Sequence, residues 1–481
     1  MAFPNRVFIL FCAVLFFAAV GCYAYGQQPY FLMAPLVLIA SLFFIQFPRY
    51  LLYVLLLSIP WSVEFSFNRN LGTDLPDEPL MLLASVSILF ITVFQWRLTG
   101  LKSYHPLIVL ILLQFGWTFI TTVTSTDWIV SVKYVLAKCW YLLAFLAFPL
   151  FLFRNERTLR IAAAILLCSM MVVTSVVVVR QGMEGFRFGE VSDSVQPFFR
   201  NHVNYSALLV FMVPLQIAFI QLFSSKRKKT FFYLLLALTL AALFLSYSRG
   251  AWVALICGLG VYWLLRKRLL VISFLFLFSI FVGGIFWIKS SDRFVKLAND
   301  YKSTIFHSDF RQHLIATYQL KDLSNAERIY RWVAGVRMIK DRWQTGYGPS
   351  TFYQQYKSYT LPAFRTYVSA NPEQSTVHNY FLLLLVEQGI IGCLLFVILL
   401  AALFWYVQKI YFRTNDRFWK AAIAAVASIL VMQCAINFLS DMIETDKVGS
   451  VFYLCVATLI IADIKTRKEA SNLSPNVKSV S

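Results

Sequence analysis

Charge is scarce in this chain: 14% of its 481 residues are charged, whereas 59% are hydrophobic and 17% aromatic. With a mean hydropathy of +0.68, that composition excludes an ordinary soluble globular protein. Acidic residues are scarcer still, 23 against 43 Lys and Arg, which leaves a formal net charge of +20. A surplus of that size can mark a nucleic-acid binder. Here the basic clusters fall between apolar runs, where they act as orientation signals, so no nucleic-acid partner is expected. Histidine is rare, with five in all, and His307 and His313 in the long polar stretch lack metal-ligand spacing. The eight cysteines, among them Cys12, Cys139, Cys257, Cys393 and Cys455, lie in or beside apolar runs without paired spacing. Neither a disulfide framework nor a metal motif follows from them, and no metal or cofactor is expected.

What the chain has instead is apolar length. Crossing a bilayer takes about 20 apolar residues in a helix, and roughly fourteen candidate runs recur. They are 7–25, 30–47, 50–63 (the weakest), 79–96, 105–123, 131–152, 158–179, 203–223, 230–247, 250–265, 268–288, 379–405, 419–439 and 447–464. The first could pass for a signal peptide, with Ala19-Val20-Gly21-Cys22 faintly like a lipoprotein cleavage site. Its basic flank is the single Arg6 and many spans follow, so an uncleaved span is the better reading. The expected fold class is all-α, a polytopic transmembrane helical protein of about 12–14 spans. If the N-terminus is cytoplasmic, alternate connections hold Arg49, then Arg97 and Lys102, then Arg154, Arg157 and Arg160, then Lys226 to Lys229, Arg266 to Arg268, and Lys409 to Lys420. The tail from Lys465 is basic too. The opposite connections include the acidic or neutral Glu64 to Glu78, Ser125 to Trp128, and Asp441 to Asp446. This pattern puts both termini in the cytoplasm.

One large excursion, 289–377, then falls outside, and loops of that length are usually functional or disordered. Ser324-Asn325-Ala326-Glu327 has the form of a helix capping box. Ile329, Trp332, Val333, Val336 and Ile339 follow at helical spacing, with Arg328 and Arg331 on the polar side. Gly346-Tyr347-Gly348-Pro349 supplies a stop and a turn. A partly helical lid on the outer surface is expected. The chain divides into N-terminal transmembrane helices at 1–200, a membrane domain at 201–440 that includes this loop, a last transmembrane helix within 441–468, and a disordered cytoplasmic tail at 469–481.

Where the polar stretch ends, His378-Asn379 precedes an apolar run that carries Gly389 and Gly392. On one continuous helix, at about 100° per residue, Gly389 returns to within roughly 20° of His378 and Gly392 lies about 40° to the other side. Small residues and an imidazole would then share a face, allowing close helix approach beside a group that moves protons near neutral pH. Glu387 falls on roughly the opposite face and reads as structural. Arginines on the outer side run against the positive-inside tendency, yet Arg180, Arg187, Arg200, Arg249, Arg328 and Arg331 all fall there. Arg249 is the sharpest case, in a tight connection between two apolar runs, where burial costs about 2.5–3.5 kcal/mol unless it is paired or wet. It is either a bidentate phosphate ligand or an arginine snorkelling to headgroups. Arg328 and Arg331 are either anion ligands or a solvated helix face, and His378 is either a base or a hydrogen-bonded cap. His202 is a second outer histidine. Outward arginines with one histidine suit a lipid-linked pyrophosphate and an attacking hydroxyl. The guanidinium groups would stabilise the leaving phosphate and the imidazole would take the hydroxyl proton, with no divalent metal required.

These residues resemble the O-antigen ligase and polymerase superfamily, membrane enzymes that ligate or polymerise polyprenyl-linked glycans on the periplasmic side. His378-Asn379, nine residues from Tyr380 to Gln388, then Gly389-Ile390-Ile391-Gly392 is similar to that family's histidine, amide or serine, nine-residue gap, glycine, two residues, glycine pattern. Ser248-Arg249-Gly250-Ala251 resembles its serine-arginine-glycine turn. Arg328 with Trp332, followed by Gly346-Tyr347-Gly348-Pro349 and Phe352, resembles the loop before the histidine, and Asn204 to Pro214 an asparagine-led span. The likeness is best over 200–440. It implies an inverting, metal-independent glycan transfer, with an undecaprenyl-pyrophosphate-linked donor and a glycan or lipid A-core acceptor, in a Gram-negative inner membrane. Carried over by position, Arg249 and Arg328 would hold the pyrophosphate and His378 would activate the acceptor hydroxyl. Arg331, Arg200, Asn204 and Asn379 are accessory candidates, and Gly389 and Gly392 would serve helix packing. Ligase, polymerase and protein glycosylation are not separated by it.

Two other classes compete. A polysaccharide flippase or secondary transporter would also have many spans with internal charge, typically with repeats and broken helices near the membrane middle, neither of which is evident in the sequence. An acid-based transferase could use Asp74, Asp77 or Glu78, which read instead as a solvated loop.

Overall fold

The computed structural model describes residue 14 and residues 41–68, 71–94, 105–153, 155–290, 323–362, 365–366, 369–371 and 374–473. The expected run 7–25 (but for residue 14), most of 30–47, Arg97, Lys102, Arg154, Cys12, His307, His313 and the tail beyond 473 lie outside the described residues. The chain folds as a bundle of helices: α1 (Pro48–Ser58), α2 (Asp77–Phe94), α3 (Pro106–Val123), α4 (Trp128–Leu152), α5 (Glu156–Met183), α6 (His202–Leu222), α7 (Lys226–Leu245), α8 (Arg249–Arg266), α9 (Leu270–Ser290), α10 (Leu323–Asp341), α11 (Tyr380–Arg413), α12 (Arg417–Leu439) and α13 (Asp446–Leu473). Among the described residues, nine helices are long and apolar enough to cross a membrane, namely α3 to α7, α9 and α11 to α13. The polytopic all-α class is therefore observed.

Polar residues set where these helices begin. Asp127, Asn155, Asn201, Asn379 and Asp416 each accept a hydrogen bond from a backbone amide in the first turn of α4, α5, α6, α11 and α12, which satisfies donors a helix start leaves unpaired. The connections alternate between two ends of the bundle. At one end, the fully buried Asp463 of α13 receives His105 Nε2 at 3.2 Å, Arg413 at 2.7 Å and Arg467 at 2.7 Å. At the other, the loop after α10 meets the start of α4, where the Thr126 amide donates to the Tyr347 carbonyl at 2.9 Å. That second end carries the candidate residues and is called the loop end.

Three expectations change. The connection 64–78 is not a plain acidic loop: β1 (Val63–Asn68) pairs antiparallel with β2 (Leu71–Leu75), Glu64 opposite Asp74. The alternation Val63-Glu64-Phe65-Ser66 is the two-residue period that licenses it. Second, α10 is not a lid resting on the surface. Tyr330, Val333, Ala334, Val336 and Met338 are buried, so the helix is packed into the bundle. Third, the apolar run after His378 is not one continuous helix. His378 precedes it with φ +54, and α11 breaks at Gly389, where φ is +69 and ψ −171. The shared helical face of His378 and the glycines therefore does not exist.

The break explains the glycine. A helix that turns out of register frees carbonyls, and inside a membrane each must find a donor. The loop supplies them: the amides of Tyr347 and Gly348 donate to the carbonyls of Val386 at 3.0 Å and Glu387 at 2.9 Å. The Ile390 amide donates back to Trp343 at 2.9 Å, and the Trp117 indole donates to the Gln388 carbonyl at 2.9 Å. A Cβ on Gly389 would collide with the Gln344 backbone, and one on Gly346 with the Glu387 backbone. A Cβ on Gly392 would press on Gln388 and on the Trp117 ring of α3. Gly389→Ala is expected to cost at least about 1–3 kcal/mol, the usual penalty for a sparsely populated backbone conformation. Gly283→Ala, in a helix interior where the added Cβ meets open space, should raise stability by up to about 1 kcal/mol; thermal unfolding in detergent compares the two.

Candidate active site

Three segments build the site at the loop end. The first is the peptide before α11. His378 sits in the left-handed region, uncommon for a residue with a side chain, because its neighbours fix both sides. Its amide faces Thr376 Oγ1 at 3.4 Å. Asn379 accepts from the Leu382 amide at 2.9 Å while donating to the Phe438 carbonyl at 3.0 Å. The asparagine thus starts α11 and pins it to the end of α12, and the imidazole is left one-third exposed, at 33%.

The second segment is α10. Arg331 is 5% exposed, which corrects the solvated-face alternative for it. It donates to Glu327 at 3.3 Å and to the Thr376 carbonyl at 3.2 Å, tying α10 to the residue two before the histidine. Glu327 is further occupied by the hydroxyls of Thr366 and of Ser369, the latter at 2.5 Å. Arg328 is half-buried on the same helix, and both guanidinium charges act on His378.

The third segment runs from the end of α12 into α13. Asp441 Oδ1 stands 4.0 Å from His378 Nδ1 and interacts with Thr376. In the sequence it is one acid of the connection Asp441 to Asp446. Arg249 opens α8 after the tight turn at Ser246 to Ser248, which Trp252 locks by donating to the Leu243 carbonyl at 2.9 Å and stacking on Phe244. Next to it, Gly250 packs against Leu439, with 3.7 Å from its Cβ position to Leu439 Cδ1. The first residue of α8 therefore lies by the segment that carries Asp441. A helix N-terminus adds partial positive charge at that point.

Burial and the charges of Arg331 and Arg328 pull the His378 pKa down to about 3, so the imidazole is neutral at physiological pH and holds a free lone pair. Asp441 shifts the other way, its pKa raised by burial. The arrangement offers an unprotonated base, cations for an anionic group, and a carboxyl beside the second ring nitrogen.

Other candidates lie elsewhere. Arg200 is exposed and Asn204 half-buried, and both line a separate cavity. His202 Nδ1 is 2.8 Å from Ser192 Oγ, and Arg187 is exposed. Glu387 is structural, as expected: buried in α11, it accepts from the amides of Ser350 at 2.8 Å and Phe352 at 3.0 Å. Asp74, Asp77 and Asp446 bring carboxylate oxygens within 4.8 Å of one another, a grouping the sequence did not reveal because Asp446 is remote in the chain.

Compared with known proteins, residues 232–397 match the family model described as O-antigen ligase. The matched segment contains Arg249, Arg328, Arg331, His378, Gly389 and Gly392, and ends before Asp441. No curated protein matches the chain.

The neutral histidine predicts a pH dependence of stability. Its folded pKa lies below the unfolded value, so between pH about 6.5 and about 3 the unfolded chain binds the extra proton. This contribution is complete above pH 6.5 and is lost as pH falls towards 3. His378→Asn, which tolerates the left-handed backbone, should flatten the fall in melting temperature between pH 7 and pH 5.

Proposed function

We propose that this protein is a glycosyltransferase of the O-antigen ligase or polymerase type. It would transfer a glycan from undecaprenyl pyrophosphate to an acceptor hydroxyl on the periplasmic side of a bacterial inner membrane. The observation that carries the reading is the convergence of a neutral His378 with Arg328 and Arg331, inside the segment that matches the O-antigen ligase family. The orientation follows from charge. The end opposite the loop carries Arg157, Arg160, Lys226 to Lys229, Arg266 to Arg268 and Arg417, which favours it as the cytoplasmic end.

In this reading Arg249 and Arg328 bind the pyrophosphate, and Arg331 mainly holds the peptide before His378. The acceptor oxygen forms a bond to the anomeric carbon while the bond from that carbon to the phosphate oxygen breaks. The electron pair leaves with the pyrophosphate, stabilised by the guanidinium groups. His378 takes the acceptor proton on Nε2, since Nδ1 faces Asp441, and attack opposite the leaving group inverts the anomeric centre. A group with a pKa near 3 is a weak base. The field that weakens it comes in part from Arg331 and Arg328, and a bound pyrophosphate would offset that field and raise the basicity of the imidazole. Donor binding thus prepares the base, and the imidazole is strongest when the anion is seated.

One observation favours the alternative of a flippase or secondary transporter: α11 is broken, as transporter helices often are. In this chain the freed carbonyls are taken by loop amides rather than left to a substrate path. Purified protein should transfer undecaprenyl-pyrophosphate-linked glycan in EDTA when offered lipid A-core or a second lipid-linked glycan. His378→Ala should lower turnover by about 10²–10⁴-fold and Arg249→Ala by about 10²–10³-fold, with expression and membrane insertion retained. Full activity in both variants would remove the proposed site. No transfer by the wild type, together with flux of lipid-linked glycan across liposomes, would favour the transporter.

A further inference from the structure

At the loop end a second cavity, of about 690 Å³, opens between the β-hairpin, the turn at 196–200, and the first residues of α6 and α13. Its volume falls in the usual range for small-molecule sites, about 300–1,000 Å³. None of its lining residues has a part in the chemistry above. Glu64, Asp74 and Glu78 face it from the hairpin side and Asp446 from α13, against the cations Arg200 and Lys447. A carboxylate is an acceptor with room for several hydrogen bonds. With Glu64, Asp74 and Glu78 facing Arg200 and Lys447, the cavity has no cationic excess to draw a phosphate and suits a ligand rich in hydroxyl donors.

The acidic group is not read as a metal site. Lys447 interacts with Asp74, Asp77 and Asp446, so an ammonium already stands among the carboxylates. That amine is anchored, donating to the carbonyls of Ser62, at 2.8 Å, and of Phe198. Phe198 and Phe199 also line the cavity, and Trp61 packs edge-on against Phe198 with ring centroids 5.4 Å apart. The Phe199 ring is buried under Lys447 Nζ at 4.4 Å, and the half-buried Phe198 ring beside the carboxylates pairs an apolar surface with hydrogen-bond acceptors, which matches the C–H face and hydroxyl edge of a sugar. The cavity opens at the same end of the bundle as the candidate active site. Its wall includes Thr445, four residues after Asp441, and four residues reach at most about 14 Å.

We propose that this cavity is the acceptor subsite and that it binds the uncharged, polyhydroxylated end of a glycan while excluding a phosphorylated acceptor. The inference rests on the transferase reading above and sharpens it, because it selects a neutral glycan end over a phosphate-decorated core as the group that receives the transfer.

The test uses the full-length protein in detergent and short oligosaccharides released from the producing cell's own surface glycan, free of the lipid carrier. Trp61 reports binding through Phe198, the lining ring it packs against. Neutral oligosaccharides should change its fluorescence saturably, Trp61→Phe should abolish the change, and phosphorylated counterparts should bind at least about tenfold more weakly. Asp74→Asn and Glu78→Gln should each raise the apparent acceptor KM by about tenfold, the scale for losing one hydrogen bond to a charged group, with donor KM unchanged. Glu64→Gln, at the exposed rim, serves as the variant least able to disturb folding, and should raise acceptor KM in the same direction. Saturable binding by a wild type that transfers nothing would keep the sugar cavity and remove the transferase reading. Active transfer with wild-type acceptor KM in all three variants would overturn the subsite. So would wild-type protein whose fluorescence no oligosaccharide moves, or phosphorylated oligosaccharides that bind as tightly as neutral ones.

Discussion

The rest of the site depends on the break in α11 at Gly389. A helix interrupted inside a bundle of apolar helices must have its exposed carbonyls paired, and the partners come from the segment after α10. Tyr347 and Gly348 give their amides to Val386 and Glu387, and the Glu387 carboxylate takes the amides of Ser350 and Phe352. The loop is therefore fixed to the membrane part by backbone, and the hydrogen bonds that repair the helix also set where α10 lies. Since Arg328 and Arg331 ride on α10, the positions of two cations follow from a glycine eleven residues beyond the histidine they face. Gly346 and Gly389 are required for the same reason: each lets one backbone come within reach of the other's amides.

That geometry creates an electrostatic tension which function can use. Two guanidinium groups beside a half-buried imidazole hold it neutral, and the same charges are what an anionic donor would seek. Arg331 spends its hydrogen bonds on Glu327 and the Thr376 carbonyl, so its charge is fixed in place while Arg328 is the more accessible of the pair. Asp441, at 4.0 Å, is beyond hydrogen-bond range of the histidine. The link from α10 to the peptide before the histidine is Arg331, through the Thr376 carbonyl.

The segment holding Asp441 is itself clamped. Asn437 accepts from the Ile443 amide at 3.3 Å. Glu444 takes both a bidentate contact from Lys138 at 3.2 Å and the Tyr134 hydroxyl at 3.0 Å, which ties the turn before α13 to α4. Removing one member of a buried pair of this kind usually costs more than the pair contributes, because a charge is left unmatched. The rigidity of the turn is therefore a property of α4, whose own start is held by the loop through Thr126 and Tyr347. Loop, α4, α11 and the 440–445 turn form one closed circuit around His378.

Local signals made part of this circuit legible in the sequence. Apolar length gave the helices, the spacing of Ile329, Trp332, Val333 and Val336 gave α10, and the chain order of Arg249, Arg328 and His378 pointed to the end where they lie. What the sequence concealed depends on contacts between distant segments. A helical wheel assumes an unbroken helix, and Gly389 breaks it because Trp343 and Gln344, some 45 residues earlier, dock against it. Arg331 looked solvated because its neighbours Glu327 and Arg328 are charged; it is buried because Glu327 pairs with it and Thr366 and Ser369 complete the carboxylate. Asp441 was indistinguishable from any acid in a short connection until α12 ended beside Asn379. In each case the missing information is the identity of a partner, and in a membrane bundle, where lipid removes much of the hydrophobic drive between helices, such polar pairings are what specify which segment meets which.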